Sequence, residues 1–376
     1  MKIRSITTFF DPAQFHFEVS LGKLAMFAQA AKKACNQAGF EVQSLRLATS
    51  PFSGWITNWS KSTIADLAIQ LEHRVLQSGF GYFSLGTAHP DQPEAFQAIP
   101  AILEATQNTF VTGSMTAENG RVAIQAVKAC GEIIAQAARM TPDGFTNLRF
   151  AALGNVPAGS PFLPSAYHTP GEPPAAAQAL ECPDLVLEIL STAASLEAAR
   201  LKLLSRLEQQ ARRLEQALSG PCADYGVKFT GFDFSPAPFP SPLCSSGGAL
   251  EALGLTSFGL SGSLAAAAFL ADTLDRGSWP RAGFNGLMLP VLEDSVLADR
   301  AADGYLTIKD LLLVSAVCGT GLDTIPLPGD ASPEQLGAVL LDVAVLSQRL
   351  NKPLTARLMP IPGKSAGDRT GFDFEF

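Results

Sequence analysis

The stretch S-A-V-C-G-T-G-L-D-T-I-P-L-P-G-D, residues Ser315–Asp330, holds one thiol, two carboxylates and three glycines. An apolar, helix-like run, Leu311–Val317, overlaps its start, and a second helix is predicted after Pro333. Between them the residues Thr324–Leu327 predict a short strand. This order of helix, glycine-rich turn, strand and helix is typical of an α/β protein.

The same alternation of strands and amphipathic helices runs along the rest of the chain. It predicts right-handed βαβ units and a mainly parallel sheet of about ten strands. The other predicted strands are Ile3–Phe10, Glu41–Ala48, Gly81–Gly86, Thr109–Ser114, Leu148–Asn155, Lys228–Phe234, Phe284–Leu292 and Leu354–Ile361. No fixed-period repeat is present, which argues against a solenoid.

The middle of the chain predicts how the two halves are joined. We expect a single α/β domain, residues 1–376, with halves 1–156 and 222–376 connected by a loop, 157–182, and a long helix, 183–219. The loop is rich in proline and glycine, and the helix begins at a proline and ends before Gly220. Leucines at spacings of three, four and seven give the helix an apolar stripe. We expect this stripe to pack between the halves; the alternative, a coiled-coil seam, is compatible with a homodimer.

Composition narrows the classes of partner. The net charge is −8, and no basic stripe with interleaved aromatics occurs, so we expect neither nucleic acid nor a membrane surface as partner. The first residues lack a signal peptide core, and the most apolar window is too short to span a bilayer. The six cysteines are far apart in the sequence, as is typical of reduced thiols in a cytoplasmic protein. A small-molecule ligand is the partner that these features favour.

Several segments resemble the uncharacterised family known as domain of unknown function 711. The matching segments span nearly the whole chain: Gly39–Thr49, Pro161–His168, Gly231–Pro240, Gly286–Asp294, Ser315–Asp330 and Lys352–Lys364. The family is similar in fold to the ten-stranded α/β barrel of pyruvate formate-lyase and ribonucleotide reductase. The resemblance therefore implies two five-stranded parallel half-barrels around a central loop, surrounded by helices. It implies no established activity.

Glycyl-radical chemistry is not expected from the resemblance. In the radical enzymes a glycine near the C-terminus, within an R-V-x-G-Y pattern, stores the radical. Here the tail is R-T-G-F-D-F, Arg369–Phe374, which only loosely matches that pattern. The chain is also far shorter than those enzymes.

Two side chains are candidates for proton transfer or nucleophilic attack. Cys318 lies between an apolar helix and Gly319-Thr320-Gly321, where a helix terminus or a nearby cation can lower a thiol pKa. The alternative is a small buried residue under a tight turn. His168 ends the segment P-F-L-P-S-A-Y-H and is a candidate acid, base or metal ligand; the alternative is a histidine bonded to backbone. Tyr167 is a candidate hydrogen-bond donor to a substrate.

Four acids lie next to predicted strand ends, where parallel α/β proteins bind ligands. Asp323 and Glu293 are candidate catalytic acids or bases, and Asp233 is a candidate substrate ligand. Glu293 and Asp294 together are candidate ligands of a divalent cation, Mg²⁺ or Ca²⁺. Turn and helix-cap duty is the alternative for each of these acids.

Arginines inside predicted strands form the last group of candidates. Arg46 and Arg357 are expected to bind the substrate, because a guanidinium on a covered strand needs a carboxylate or an anionic ligand. Arg4 and Arg149 share this position. Pairing with the acids named above is the alternative.

These residues lead to a hypothesis and an alternative. The hypothesis is a cytoplasmic enzyme that acts on a small anionic metabolite by carboxylate or thiol chemistry. The alternative is a non-catalytic small-molecule sensor, or an assembly protein, with a degenerate site in the barrel.

Overall fold

A computed structural model describes residues 1–372. Within them the β-strands are β1 (Lys2–Phe10), β2 (Val42–Thr49), β3 (Tyr82–Ala88), β4 (Thr109–Ser114), β5 (Phe150–Gly154), β6 (Ala175–Glu181), β7 (Lys228–Asp233), β8 (Gly321–Pro328) and β9 (Leu354–Ile361). The α-helices are α1 (Phe17–Gln37), α2 (Lys61–Gln77), α3 (Pro93–Ala105), α4 (Ile124–Ala137), α5 (Pro183–Thr192), α6 (Leu196–Tyr225), α7 (Ser246–Glu251), α8 (Ser263–Asp275), α9 (Ser295–Ala302), α10 (Ile308–Cys318) and α11 (Pro333–Leu350). The α/β class predicted from the sequence is confirmed.

The strands form one sheet in the order β7-β6-β1-β2-β3-β4-β5-β9-β8. Strands β1 to β5 are parallel to one another. Strands β6 and β9 flank this group and run antiparallel to β1 and β5, respectively. Since β7 is parallel to β6 and β8 is parallel to β9, the second set of strands runs opposite to the first. The sheet therefore consists of two oppositely directed parallel sets.

Residues 280–292, here called the bridging segment, link the two edge strands of this sheet. At one end Arg281 forms a parallel bridge with Phe232 of β7. At the other end Pro290 forms a parallel bridge with Asp323 of β8. The bridging segment thus lies where a further strand of the second set is expected.

The prediction of a regular strand at Phe284–Leu292 is wrong, because the bridging segment makes only isolated bridges. Pro290 has no N–H for a continuous ladder. Asn285 has a φ of +47°, which turns the backbone out of the extended region. The result is nine regular strands within residues 1–372.

The predicted connection between the halves needs two corrections. The segment 157–182 is not all loop, because it contains β6, Ala175–Glu181, every residue of which is buried. Its alanines favour helix over strand, so local propensity conceals this strand. The predicted single helix 183–219 is two helices, and Ser195 begins the second by accepting a hydrogen bond from Ala198 N at 3.2 Å.

The apolar stripe of α6 is covered within the chain. Leu203, Leu207, Leu214 and Leu218 are buried in the main core, and α6 packs against α1. Leu196, which begins the helix, is exposed. The stripe therefore packs between elements, as predicted, and is not free to form a coiled-coil seam.

Residues 161–166, here called the central segment, cross the inner side of the sheet. Thr7 Oγ1 of β1 donates to the carbonyl of Pro161 at 2.7 Å, and Ser84 Oγ of β3 donates to the carbonyl of Ala166 at 2.7 Å. Phe162 of the central segment packs with Ala179 of β6.

Among residues 1–372, no helix combines the length and the apolar composition needed to cross a bilayer.

Candidate functional site

A cavity of about 440 Å³ lies on the inner side of the sheet, against the central segment. Its volume falls in the range of about 300–1,000 Å³ that is usual for small-molecule sites. Strands of both parallel sets contribute side chains, together with the bridging segment. The lining includes Arg4, Arg46, Tyr82, Phe110, Asp323 and Arg357.

A chain of ion pairs forms the charged side of the cavity. Arg4 donates to Glu181 at 3.3 Å and to Glu293 at 2.9 Å. Arg357 donates to the other oxygen of Glu293 at 3.0 Å and, through Nε, to Asp323 Oδ1 at 2.7 Å. Glu293 therefore joins two arginines, and the order along the network is Glu181, Arg4, Glu293, Arg357, Asp323.

Burial and pairing act in opposite directions on Arg357, whose side chain is buried. Burial opposes the charged guanidinium, but the carboxylates of Asp323 and Glu293 outweigh it and raise the pKa of Arg357 above its ordinary value. Buried charges that are paired in this way are stable, whereas removal of one partner leaves the other exposed to the full desolvation cost. The network is thus a structural unit as well as part of the cavity wall.

Arg46 also lines the cavity but belongs to no ion pair within residues 1–372. Its Nε donates to Ser44 Oγ at 3.0 Å, and its guanidinium lies 5.7 Å from the centre of the Tyr82 ring. Its two terminal amino groups have no hydrogen-bond partner among the same residues. Arg46 is therefore oriented by its neighbours while its hydrogen-bonding fork remains available.

The electrostatic surroundings of Arg46 disfavour its charge. Burial lowers the pKa of Arg46, and repulsion from Arg4 and Arg357 lowers it further, while attraction to the Glu293 carboxylate offsets part of this effect. Arginine nevertheless keeps its proton in proteins, because its ordinary pKa is so high. The site thus contains a cation that an incoming anion would stabilise.

The rest of the cavity wall is largely apolar, with cations at its edge. Aromatic and aliphatic side chains line it: Phe110, Phe162, Leu163, Phe284 and Met288. Lys32 of α1 lies at the border with a shallow surface depression that also contains Lys33. A ligand in this cavity would meet apolar surface on one side and positive charge on the other.

The cavity opens near the amino ends of the first set of strands. Arg4 is the third residue of β1, Tyr82 begins β3, and Phe110 is the second residue of β4. The expectation that ligand-binding side chains cluster at carboxyl ends is therefore wrong for this set. The strands of the second set run in the opposite direction to those of the first. Both sets nevertheless contribute side chains to the same cavity.

Cys318 does not line the cavity. It is buried at the end of α10, and its Sγ lies 3.5 Å from Oγ1 of Thr320, a residue that does line it. Thr320 Oγ1 in turn donates to the carbonyl of Leu287. The thiol therefore packs behind the cavity wall. This position supports the alternative interpretation, in which Cys318 is a small buried residue under a tight turn.

Neither His168 nor Tyr167 lines the cavity: His168 lies near the carboxyl ends of β1 and β2, whereas Tyr167 packs beside the carboxyl end of β5. The backbone N–H of His168 donates to Thr49 O at 2.9 Å, and its Nε2 lies 3.0 Å from Glu172 O. Burial lowers the pKa of His168. The Tyr167 hydroxyl donates to Val156 O at 2.6 Å, so both side chains are bonded to backbone rather than directed at a ligand.

Asp233 is fully buried and fixes the bridging segment. Its carboxylate accepts from Ser235 Oγ at 2.6 Å, Phe284 N at 2.6 Å and Asn285 N at 2.9 Å. Burial raises the pKa of Asp233, although these hydrogen bonds favour its charged form. Asp233 is not a substrate ligand in this geometry; it positions Phe284, which lines the cavity.

Glu293 and Asp294 do not form a pair of metal ligands. Glu293 faces the arginines, whereas Asp294 begins α9 and accepts hydrogen bonds from elsewhere. The donors to Asp294 are Ser245 Oγ, Ser246 N, Gly247 N, Val296 N and Leu297 N. Glu293 lies in a turn, in which its N–H donates to Pro290 O at 3.0 Å, whereas Asp294 is the extended N-cap residue of α9, so the two side chains leave the backbone in different directions. Across residues 1–372 no three His, Cys, Asp or Glu side chains form a group suited to a metal ion.

The structure thus brings together four of the predicted site residues: Arg46, Glu293, Asp323 and Arg357. Sequence reasoning misses Glu181, because this residue ends the alanine-rich strand β6, which lies in the segment predicted as loop. It also missed Tyr82 and Lys32; the aromatic first residue of β3 was the only local indication for Tyr82.

With the site defined, comparison with known proteins identifies the family. A family model described as "Uncharacterised ACR (DUF711)" matches residues 1–373. The chain belongs to this family. The resemblance drawn from the sequence segments is thereby confirmed, and so is the family's uncharacterised status.

The family's curated relatives are similar along most of their length. A UPF0210 protein from Pyrobaculum arsenaticum is 31% identical over 355 residues, covering 90% of this chain and 78% of the relative. A UPF0210 protein from Syntrophobacter fumaroxidans is 28% identical over 386 residues, covering 96% and 84%. Among solved structures, the anaerobic ribonucleotide reductase from Thermotoga maritima in complex with dATP and CTP is 10% identical, with a TM-score of 0.35, covering 89% of this chain and 69% of that chain.

Proposed function

We propose that the cavity binds a small anionic metabolite through Arg46 and that the protein is an enzyme acting on it. The observation that carries this proposal is the uncompensated guanidinium of Arg46, held by Ser44 and directed at a cavity of small-molecule size. A planar guanidinium with two available amino groups matches a carboxylate or phosphate in a bidentate manner. Binding of such an anion would remove the repulsion that Arg46 experiences in the ligand-free protein.

Asp323 is the group we assign to proton transfer. Its Oδ1 is occupied by Arg357, whereas Oδ2 has no hydrogen-bond partner among residues 1–372. Asp323 and Arg46 line the same cavity, so a substrate bound to Arg46 lies in the cavity that the Asp323 carboxylate faces. A carboxylate oriented by one oxygen and available at the other fits a general base. Glu293, with both oxygens bound to arginines, is assigned to the support of Arg357 and Arg4.

One observation favours a second candidate, a sensor that binds the same class of anion without reaction. Cys318 lies behind the cavity wall, and His168 lies away from the cavity. No thiol–imidazole pair therefore faces the cavity in the described part of the chain. On this alternative Arg46 keeps its role, and Asp323 serves recognition alone.

The test uses the purified full-length protein and a small-molecule extract of a cell lysate. Wild type and the variants Arg46→Gln, Asp323→Asn and Arg121→Gln are incubated with the extract, and mass spectrometry follows both retained and altered compounds. Arg121 is exposed and serves as the matched control. We expect wild type and Arg121→Gln to retain and convert an acid, Arg46→Gln to retain none, and Asp323→Asn to retain it unchanged.

The outcomes separate the two candidates. Retention of an acid by wild type with no altered compound would support the sensor and contradict the enzyme. Retention that is unchanged in Arg46→Gln would contradict both, because the anion would then bind elsewhere.

A further inference from the structure

The groups that the protein leaves unpaired in the cavity describe the ligand in more detail, and the following inference rests on the proposed anion site. The unmatched hydrogen-bonding groups of the lining include donors, the terminal amino groups of Arg46, and acceptors, Asp323 Oδ2 and Gln43 Oε1. A polar group that a ligand covers without offering it a partner costs free energy, so the favoured ligand supplies partners for both kinds. A simple anion satisfies Arg46 only.

The charge of the site limits the ligand's net charge. Arg4, Arg46, Arg357 and Lys32 in the lining contribute four positive charges. Glu293 and Asp323 in the lining, and Glu181, which is outside the lining but pairs with Arg4, contribute three negative charges. The difference, four minus three, is one positive charge. A monoanion neutralises it, whereas a zwitterion leaves it unchanged and adds the cost of desolvating an ammonium group.

The apolar wall defines the rest of the ligand. Phe110, Phe162 and Phe284 border the cavity, and Met288 adds a flexible side chain that adapts to different shapes. Burial of an aromatic or branched aliphatic body against this surface contributes favourably in proportion to its apolar area. A ligand made only of polar groups would leave this wall unused.

We infer that the ligand is a monoanionic hydroxy acid with an apolar body. Its carboxylate pairs with the terminal amino groups of Arg46, its hydroxyl donates to Asp323 Oδ2, and its body packs against the phenylalanines. Ser44 is a positioning residue, because its hydroxyl accepts from Arg46 Nε at 3.0 Å and donates to Arg4 O at 2.7 Å. It thereby fixes the orientation of the guanidinium without touching the ligand.

Isothermal titration calorimetry with matched compounds tests this assignment on the full chain. The probes are 3-phenyllactate, which has all three features; 3-phenylpropionate, which lacks the hydroxyl; lactate, which lacks the apolar body; and phenylalanine, which carries an ammonium in place of the hydroxyl. We expect 3-phenyllactate to bind at least about tenfold more tightly than each of the others, the factor expected for one charge-assisted hydrogen bond. The variant Asp323→Asn should reduce the preference over 3-phenylpropionate to about threefold or less, whereas the exposed control Asp330→Asn should not change it.

Failure of this inference is distinguishable from failure of the proposed function. If 3-phenylpropionate or phenylalanine binds as tightly as 3-phenyllactate, and binding is lost in Arg46→Gln, the hydroxy acid is wrong and the anion site stands. If 3-phenyllactate fails to bind at about 10 mM, a concentration that detects even weak complexes, the hydroxy acid is wrong as well. If every probe binds equally to wild type and Arg46→Gln, both the ligand and the site are wrong.

Discussion

Two regions of this molecule bury polar side chains, and they treat them differently. At the carboxyl ends of β1 and β2, the Asp11 carboxylate accepts from Ser50 Oγ at 2.6 Å and from Gly171 N at 2.9 Å, while His168 bonds to backbone. At the cavity, the terminal amino groups of Arg46 and one oxygen of Asp323 have no hydrogen-bond partner among residues 1–372. In the first region the protein itself supplies hydrogen-bond partners for these side chains, whereas at the cavity it supplies only some of the partners. This difference is why we propose that function lies at the cavity, although candidate catalytic side chains occur in both regions.

The ion-pair network should give the largest effect on stability. We expect Arg357→Ala to lower the free energy of unfolding by about 3–5 kcal/mol, because Asp323 loses its partner and Glu293 loses one of two. Urea unfolding measures this loss. The control Arg276→Ala breaks an exposed pair with Asp272 and should cost less than about 1 kcal/mol.

The same unfolding curves address the organisation of the chain. We propose that the halves form one cooperative domain, because β1 pairs with β6 and β5 pairs with β9. A single transition in both proteins is expected. Two separate transitions, with only one shifted by Arg357→Ala, would contradict a single domain.

A second prediction compares a carboxylate with several hydrogen-bond donors, Asp294, with the partly available carboxylate of Asp323. Asp294→Ala should destabilise the protein by about 2–3 kcal/mol, since it removes the cap of α9 and the bonds to Ser245 and to the first turn of α7. Affinity for the ligand should be unchanged. Asp299→Ala, on the exposed side of the same helix, is the control for stability. A loss of ligand or metal affinity in Asp294→Ala, with its stability retained, would show that this acid belongs to the site after all.

A smaller effect concerns the pH dependence of stability that arises from His168, near the carboxyl ends of β1 and β2. Burial lowers the pKa of His168 below its ordinary value of 6.5, so the unfolded chain binds the proton more readily. The stability from this group is therefore present above pH 6.5 and is lost as the pH falls from there through the lowered pKa. The free energy of unfolding, measured by urea at a series of pH values, should decrease across this window, and less steeply in His168→Gln. Equal slopes for the two proteins would contradict this account.

The sequence predicted the parts of the fold that repeat a local pattern and the residues that lie on such patterns. Arg46 and Arg357 occur within strands that alternate clearly with helices, and a charged residue in a covered strand indicates a partner or a ligand. Strand β6 was not predicted, because its alanines favour helix, and Glu181 at its end was therefore not predicted as a site residue. Tertiary pairing, which local propensity does not contain, made this segment a strand.

The directions of individual side chains were beyond sequence reasoning. Glu293 and Asp294 are neighbours in the chain, yet one joins the ion-pair network and the other caps α9. Cys318 and Thr320 are two residues apart, yet only the threonine lines the cavity. These differences depend on how the bridging segment packs against β8. That contact joins residues far apart in the sequence, so a local pattern does not predict it.

The measurement that tests the central claim most directly is the comparison of Arg46→Gln with wild type, both for stability without ligand and for affinity for 3-phenyllactate. Because Arg46 has no salt-bridge partner among residues 1–372 and burial and two arginines disfavour its charge more than Glu293 favours it, its removal should leave the free energy of unfolding unchanged or raise it by up to about 1 kcal/mol. The affinity should fall at least about tenfold, as expected for the loss of a bidentate charged contact. A variant that is clearly destabilised and binds 3-phenyllactate as well as wild type would contradict the claim that Arg46 is held available for an anion.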